Sequence, residues 1–216
     1  MTLPLNADVS GGITKSRVLG NAIAGDCTVA AFYHIVMCLA RVRAGFFKRW
    51  MYRLGFVIPD TQFALAEYDG YLYSIGQKPS SDPGVDPAGW LAWQQGQGNV
   101  LGWKQLPNMT EDSLRQAMID FGGVMLGGSL SNNSYHHWGP KILWRYSLAV
   151  ADQPNPSLGH MIAFVKYGPS FDTAITWGQF QRMTLEYRLK CFTYAFVFVF
   201  KTDPNATAKL AILATL

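Results

Sequence analysis

The sequence predicts an α+β fold, with helices concentrated in the first half of the chain and strands in the second. Two observations carry this prediction. The apolar run from Thr28 to Arg43 follows a turn glycine, Gly25, and a capping aspartate, Asp26, which is typical of a largely buried helix. After residue 123, four short apolar runs bounded by turn residues are typical of strands.

Length, charge and cysteine usage limit the class of protein. The 216 residues are enough for one domain with a full core, or for two small lobes that share one. A formal net charge of +4 is too small to indicate a nucleic-acid partner by itself, and none is predicted. The odd number of cysteines, at positions 27, 38 and 191, indicates free thiols or a reducing compartment and not a disulfide framework.

The sequence predicts no signal peptide and no membrane span. Residues 1–10 lack the charged region and the apolar core of a signal peptide. The longest strongly apolar run, Phe192–Phe200, is about half as long as a helical membrane span requires, so we predict a buried strand and no transmembrane segment.

The first half of the chain is predicted to begin with an extended lead-in over residues 1–19 that packs on the body. The helix from Cys27 to about Arg43 follows. The basic, aromatic segment Arg41–Arg53 could contact a membrane surface, nucleic acid or an acidic partner, but we favour a continued helix whose charges face water. Residues 59–104 contain many turn residues and are interpreted as a loop-rich region that shapes a cleft, with one short helix ending at Gly96.

The second half begins after a capped amphipathic helix that opens at Thr110 and stops at Gly122. A long irregular connection is predicted over residues 131–157, and an amphipathic piece over Met183–Leu189. The predicted strands are Val124–Leu130, His160–Lys166, Thr173–Trp177 and Tyr194–Lys201. The expected organisation is a single domain, 1–216, made of a helical lobe (about 18–122), a strand-rich lobe (123–202) and a small apolar tail (203–216) that docks on the body or on a partner.

The candidate chemistry lies in a cysteine and a distant histidine. At the N-terminus of a helix, the Cys27 sulfur is favoured as thiolate by the unpaired backbone N–H groups. His160 stands at the head of an apolar strand and offers a base that could activate this nucleophile. The alternatives are a small buried hydrophobic residue for Cys27 and a satisfied core histidine for His160. No spacing of His, Cys and acidic residues resembles a metal site, so no metal and no cofactor are predicted.

Several short motifs occur in a fixed order over about residues 18–200. They are Gly20-Asn21, Gly25-Asp26-Cys27, Asp82-Pro83-Gly84, Gly159-His160, Thr176-Trp177-Gly178 and Met183-Thr184. This ordered set resembles papain-like cysteine peptidases, and more closely the small papain-fold cysteine-peptidase-like proteins common in bacteriophages and their hosts. The resemblance implies an N-terminal helical lobe with the nucleophile helix and a C-terminal lobe built on an antiparallel sheet or half-barrel.

The resemblance also implies roles for individual residues. Cys27 would be the nucleophile, and His160 the base that takes the thiol proton and later passes a proton to the leaving group. Asn21 stands six residues before Cys27, where the family carries a glutamine that helps to bind the oxyanion. An asparagine amide can donate the same hydrogen bond, worth on the order of 3 kcal/mol when well placed, although an asparagine in a glycine-flanked turn explains the residue equally well. Trp177 would shield the pair from water.

The third member of the family's triad is where this sequence departs from the pattern. The family carries an asparagine two residues before the tryptophan, and here that position is Ile175, which cannot hydrogen-bond an imidazole. Asp172 is the nearest carboxylate that could aid the histidine, and Thr176 serves only if the register slips. The sequence therefore predicts a Cys27–His160 dyad, with Asp172 as a candidate third member.

Two functions follow from these residues. The first is a thiol hydrolase that cleaves a peptide or isopeptide bond, including those of peptidoglycan or a polyprotein. The second is a weakly active or inactive protein of the same fold, serving as a structural or accessory component of a bacteriophage virion or tail, with protein partners in that assembly. The expected location is the bacterial or host cytoplasm, or the phage particle.

Overall fold

The computed structural model of the chain describes residues 3–11, 17–22, 24–43 and 60–216, and the side chains of all of these except residues 41–43. The interpretation of the basic, aromatic segment Arg41–Arg53 therefore concerns side chains that lie outside the described residues.

The described chain contains α-helices, β-strands and two short 3₁₀ turns. The α-helices are α1 (Cys27–Arg43), α2 (Thr61–Ser74), α3 (Pro87–Gly96), α4 (Glu111–Phe121), α5 (Asn132–His136), α6 (Leu185–Cys191) and α7 (Ala206–Thr215). The strands are β1 (Ala7–Asp8), β2 (Val100–Gln105), β3 (Val124–Ser131), β4 (Leu143–Trp144), β5 (Pro154–Tyr167), β6 (Asp172–Thr176), β7 (Gln179–Met183) and β8 (Phe192–Phe200). Single 3₁₀ turns occur at Pro79–Ser81 and Val150–Asp152.

The strands form one sheet in the order β2-β8-β3-β5-β6-β7-β4, and β1 pairs with the end of β5. All neighbours are antiparallel except β4 and β7, which are parallel. Helix α1 packs directly on β5, the strand that carries the candidate base. The predicted α+β class is confirmed, with a helical N-terminal part and a largely antiparallel C-terminal sheet.

The core lies on both faces of this sheet because side chains alternate along each strand. On β5, Met161, Ala163 and Val165 belong to the cluster beneath α1, whereas Ile162 and Phe164 belong to the cluster on the opposite face. The first cluster joins the sheet to α1, α2 and α3, and the second joins it to α4, α6 and α7. The central strands are therefore covered on both faces.

Helix α4 shows how closely local sequence signals set an element here. The Thr110 hydroxyl accepts a hydrogen bond from the Ser113 N–H at 3.2 Å, which caps the first turn. At the other end, Gly122 adopts a left-handed conformation with φ of 78°, which ends the helix. The predicted capped helix with a glycine stop is confirmed.

The described part of the predicted loop-rich region, residues 60–104, is more regular than predicted. Asp60 accepts a hydrogen bond from the Phe63 N–H at 2.8 Å and caps α2, whose buried face includes Tyr68 and Tyr71. Tyrosines mask the apolar periodicity of this helix because their rings pack inward while their hydroxyls remain polar. Strands β2 and β7 were also missed, and in β2 a glycine interrupts the pattern where α7 approaches: a Cβ on Gly102 would lie 3.0 Å from a Leu210 methyl carbon.

The apolar tail forms α7, which packs on β2 and β8. Its docking on the body explains its small, apolar composition. Within the described part of the chain, each helix is too short or too polar to span a bilayer.

Candidate active site

Cys27 is the first residue of α1, and its side chain is partly buried against the core beneath the helix. The Asp26 carbonyl accepts the Ala30 N–H at 2.9 Å and so begins the helix. The Thr28 hydroxyl donates to the Val85 carbonyl at 3.0 Å, which ties the first turn of α1 to the loop before α3. These two hydrogen bonds fix the backbone that carries the sulfur, where α1 meets the loop before α3.

Strand β5 reaches the same place from the other half of the chain. The backbone amide of Met161, the residue after His160, lies close enough to the Cys27 side chain to lower its pKa. The structure thus brings the start of α1 to the strand position next to His160.

The pKa of the Cys27 thiol is shifted in the direction opposite to the one expected from the sequence. Burial is the largest effect and raises the pKa, and the charge of Asp26 raises it further. The amides of Met161 and Thr28 and the Thr28 hydroxyl lower it, but the net direction is upward. The expectation that the helix N-terminus favours a resting thiolate is wrong, because desolvation of the sulfur outweighs the helix dipole.

His160 is held on two sides. Its Nε2 lies 2.7 Å from the Thr176 hydroxyl oxygen, and its ring stacks on Trp177 with centroids 4.5 Å apart and planes inclined by 21°. The side chain is only 8% exposed, and this burial lowers the pKa of His160 to about 3. The imidazole is therefore neutral at physiological pH and has a fixed ring plane.

Thr176 is the side chain that contacts the histidine, a residue that the sequence allowed in this role only if the register slipped. It is the last residue of β6, one position before Trp177, which turns the chain with φ of 45°. Ile175 points away into the cluster beneath α1 and is fully buried there. The sequence signal for this role is the hydroxyl of Thr176, which stands directly between Ile175 and Trp177.

Asp172 lies at the opposite end of β6 from Thr176. Its Oδ2 accepts from the Arg188 Nε at 2.5 Å, and its Oδ1 lies 3.9 Å from an Arg115 nitrogen. The candidate third member is thus engaged with two arginines, and the side chain that contacts the His160 ring nitrogen is Thr176.

Asn21 lies in a tight turn before α1. The turn is closed by the Asn21 N–H donating to the Val18 carbonyl at 3.3 Å and by the Ala24 N–H donating to the Gly20 carbonyl at 3.1 Å. Asn21 is 9% exposed, and its neighbour Gly20 lies against Asp26, the residue that precedes Cys27.

Trp177 is the centre of an aromatic group beside the histidine. Its centroid lies 5.2 Å from that of Trp138, 6.0 Å from that of Tyr135 and 6.4 Å from that of Trp144. Trp138 and Tyr135 are exposed, whereas Trp144 is buried and donates its ring N–H to the His137 carbonyl. This group limits access of water to His160 from one side.

Two carboxyl groups near the nucleophile were not predicted as part of the site. Asp26 was expected to cap α1, but its side chain is fully buried and neither oxygen has a hydrogen-bond partner within the described residues. Burial first, and the neighbouring Asp82 second, raise the pKa of Asp26 to about 8. Asp82 reaches the same loop by accepting the Gly25 N–H at 2.7 Å and the Tyr68 hydroxyl at 2.6 Å.

Residue types that bind metals do not converge here. Over residues 3–11, 17–22, 24–43 and 60–216, no group of three or more His, Cys, Asp or Glu side chains is arranged to hold an ion. All three cysteines are free thiols.

The fold is similar to that of papain-like cysteine proteases of known structure. Digestive procathepsin L 3 of the Tenebrio molitor larval midgut superposes with a TM-score of 0.64 at 14% identity, covering 92% of this chain and 70% of that chain. The bromelain protease of Ananas comosus, solved in complex with the E64 inhibitor, gives a TM-score of 0.50 at 10% identity, covering 92% of this chain and all of that chain (100%).

These similarities are ones of three-dimensional structure. No protein-family model matches the chain, and no curated protein matches its sequence. The chain therefore has the papain-like cysteine protease fold, and its activity is to be argued from the residues of the site.

Proposed function

We propose that the protein is a cysteine peptidase or amidase that cleaves a peptide or isopeptide bond through Cys27 and His160. One observation carries the proposal: in a papain-like fold, the thiol at the start of α1 meets the strand position next to a histidine that is fixed by Thr176 and Trp177. General-base activation of a nucleophile requires a neutral imidazole within reach of the thiol, and the proposal gives His160 this role.

In the proposed reaction, the Cys27 sulfur attacks the carbonyl carbon while its proton passes to His160. The Nε2–H of the imidazole donates to the Thr176 oxygen, which leaves Nδ1 free to accept that proton. The carbonyl oxygen takes up the negative charge and accepts hydrogen bonds from the Cys27 backbone N–H and from Asn21. His160 then protonates the leaving nitrogen, the C–N bond breaks, and water hydrolyses the thioester.

The shifted pKa values define the resting state in this mechanism. Burial raises the pKa of the Cys27 thiol and lowers the pKa of His160 to about 3, so both groups are neutral before substrate binds. The proton is then transferred during attack and not beforehand.

The test uses the protein and its Cys27→Ala variant, with Cys38→Ala as the matched control because Cys38 is buried away from the site. We expect E64 to form a covalent adduct at Cys27, located by mass spectrometry, and peptide hydrolysis to be lost in Cys27→Ala alone. Both variants should keep the circular dichroism of the parent. Hydrolysis that survives Cys27→Ala would refute the mechanism.

A second candidate function is a papain-fold component of a bacteriophage particle that has little or no activity. Two observations favour the low activity that this function includes: a hydroxyl stands where the family has an amide beside the histidine, and both pKa shifts oppose a resting thiolate. Its location would be the host cytoplasm or the particle. Co-sedimentation with assembled particles, together with no E64 adduct at Cys27, would select this function over the hydrolase.

A further inference from the structure

Asp26 is a buried acid that the proposed mechanism does not use. The residue is fully buried directly before the nucleophile, and neither carboxyl oxygen has a hydrogen-bond partner within the described part of the chain. A Cβ placed on Gly20 would lie 2.4 Å from its Oδ2, so the turn that carries Asn21 closes tightly over this carboxyl group. Asp26 therefore lies beneath the candidate oxyanion donor and beside the nucleophile.

The hydrogen bonds indicate which of the two neighbouring acids, Asp26 or Asp82, carries the negative charge. Asp82 accepts from the Gly25 N–H and from the Tyr68 hydroxyl, two donors that stabilise a carboxylate. Neither Asp26 oxygen has a partner on another described residue, and its own backbone amide lowers its pKa less than burial and the negative charge of Asp82 raise it. The group that keeps its proton in this arrangement is therefore Asp26.

The titratable groups that interact with Asp26 come from three elements. They are Cys27 on α1, Tyr68 on α2 and Asp82 on the loop before α3. Within the described residues, no cation contributes to the balance at Asp26. An ionised Asp26 would therefore act on Cys27 without a compensating positive charge.

We propose that Asp26 is a positioning residue that sets the alkaline limit of Cys27 reactivity: as a neutral acid it leaves the thiol free to ionise, and as a carboxylate it opposes the thiolate beside it. This deepens the proposed function, because it concerns the same nucleophile. Its ionisation releases one proton to solvent and involves no other bond change. The same charge would also oppose an oxyanion held at the Asn21 turn.

The test measures the rate of Cys27 alkylation by iodoacetamide from about pH 6 to about pH 10, with each site quantified by mass spectrometry. It needs no substrate, so its outcome is separate from that of the hydrolase proposal. In the parent protein, the increase of log rate with pH should flatten where Asp26 ionises. In Asp26→Asn, the ratio of variant rate to parent rate should rise with pH, approaching about tenfold for each pKa unit removed from the thiol.

Asp82→Asn provides a matched variant with the opposite sign. It also removes one acid from the pair, but it lowers the pKa of Asp26, so Asp26 ionises earlier and Cys27 alkylation at neutral pH should slow by about threefold or more. Cys38 and Cys191, which are buried, serve as internal controls for folding in every sample.

The two variants separate an electrostatic role from a structural one. A loosened loop would change Cys27 alkylation in the same direction in both variants, whereas the proposal requires opposite directions. Equal changes in both variants, or a parent profile with no flattening, would overturn it. If either variant fails to fold, the parent profile alone decides the matter.

Discussion

Two buried aspartates have opposite surroundings. Asp172, the first residue of β6, defines what we call the sheet side, and Asp26, directly before Cys27, defines the nucleophile side. On the sheet side, Asp172 is 1% exposed, pairs with the equally buried Arg188, and has Arg115 nearby. On the nucleophile side, Asp26 is fully buried beside another acid and has no donor within the described residues. Burial raises the pKa of both carboxyl groups, but only at Asp172 do arginines oppose that shift.

The difference indicates where the fold is built for stability and where it is built for chemistry. A buried charge that is compensated fixes a packing arrangement and changes little near neutral pH. A buried acid without a cation changes its charge within the range in which proteins work, and such groups cluster at functional sites. The predictions below remove the cation that compensates Asp172, then the acid at position 26, and then the neutral partner of His160.

The largest expected effect comes from making the sheet side resemble the nucleophile side. Arg188→Met removes the cation from Asp172 and leaves a buried carboxyl group whose main partner is gone. We expect a loss of about 3–5 kcal/mol in the free energy of unfolding, measured by urea denaturation near neutral pH.

The control for this prediction is the double variant Asp172→Asn/Arg188→Met. Removing both charges should recover part of the lost stability, because the uncompensated group is no longer present. A loss below about 1 kcal/mol in Arg188→Met would show that the ion pair does not stabilise the fold as its burial indicates.

A smaller effect is expected from removing the acid on the nucleophile side. The folded-state pKa of Asp26 is raised to about 8 from 3.8, so between these values the folded protein binds a proton that the unfolded chain releases. The free energy of unfolding contributed by this group therefore falls as pH rises through that window. Asp26→Asn removes the dependence.

Urea denaturation at several pH values checks this sign. The variant should gain stability relative to the parent as pH rises from about 6.5 to about 8, by on the order of 2 kcal/mol. A difference that does not depend on pH would mean that Asp26 keeps the same charge in the folded and unfolded states.

The smallest expected effect concerns the neutral partner of His160, which contrasts with the charged partners of Asp172. Thr176→Val has nearly the same shape but no hydroxyl, so the imidazole loses its hydrogen bond while Trp177 still stacks on it. We expect kcat/KM to fall roughly tenfold, in line with the loss of one neutral hydrogen bond, with little change in stability. Thr176→Ser should restore most of the activity, and equal activity in the valine and serine variants would exclude an orienting role.

Much of the fold could be predicted from local sequence signals: helix caps, glycine stops and apolar runs. The helix α4 was predicted from its threonine cap and glycine stop, and β3, β5, β6 and β8 from apolar runs between turn residues. The elements that were missed are those whose stability comes from tertiary packing. Helix α2 buries tyrosines that look polar in a sequence, and β2 has a glycine because a helix packs close to it.

The site was predicted less completely than the fold, and the reason is electrostatic. Spacing and motif order indicated Cys27 and His160, but the charge state of each depends on burial that no local pattern reports. For the same reason Asp26 was interpreted as a helix cap, although its side chain is enclosed by segments distant in sequence. Thr176 was considered only for a slipped register, because its contact with His160 depends on the pairing between β5 and β6.

The meeting of α1 with β5 has a consequence during protein synthesis. Cys27 leaves the ribosome early, whereas His160 and the residues that hold it follow only after most of the chain has been made. Until β5 docks on α1, Cys27 lacks the Met161 amide and the burial that set the pKa of its thiol in the folded protein. The ionisation of this thiol therefore reaches its folded-state value only when translation is nearly complete.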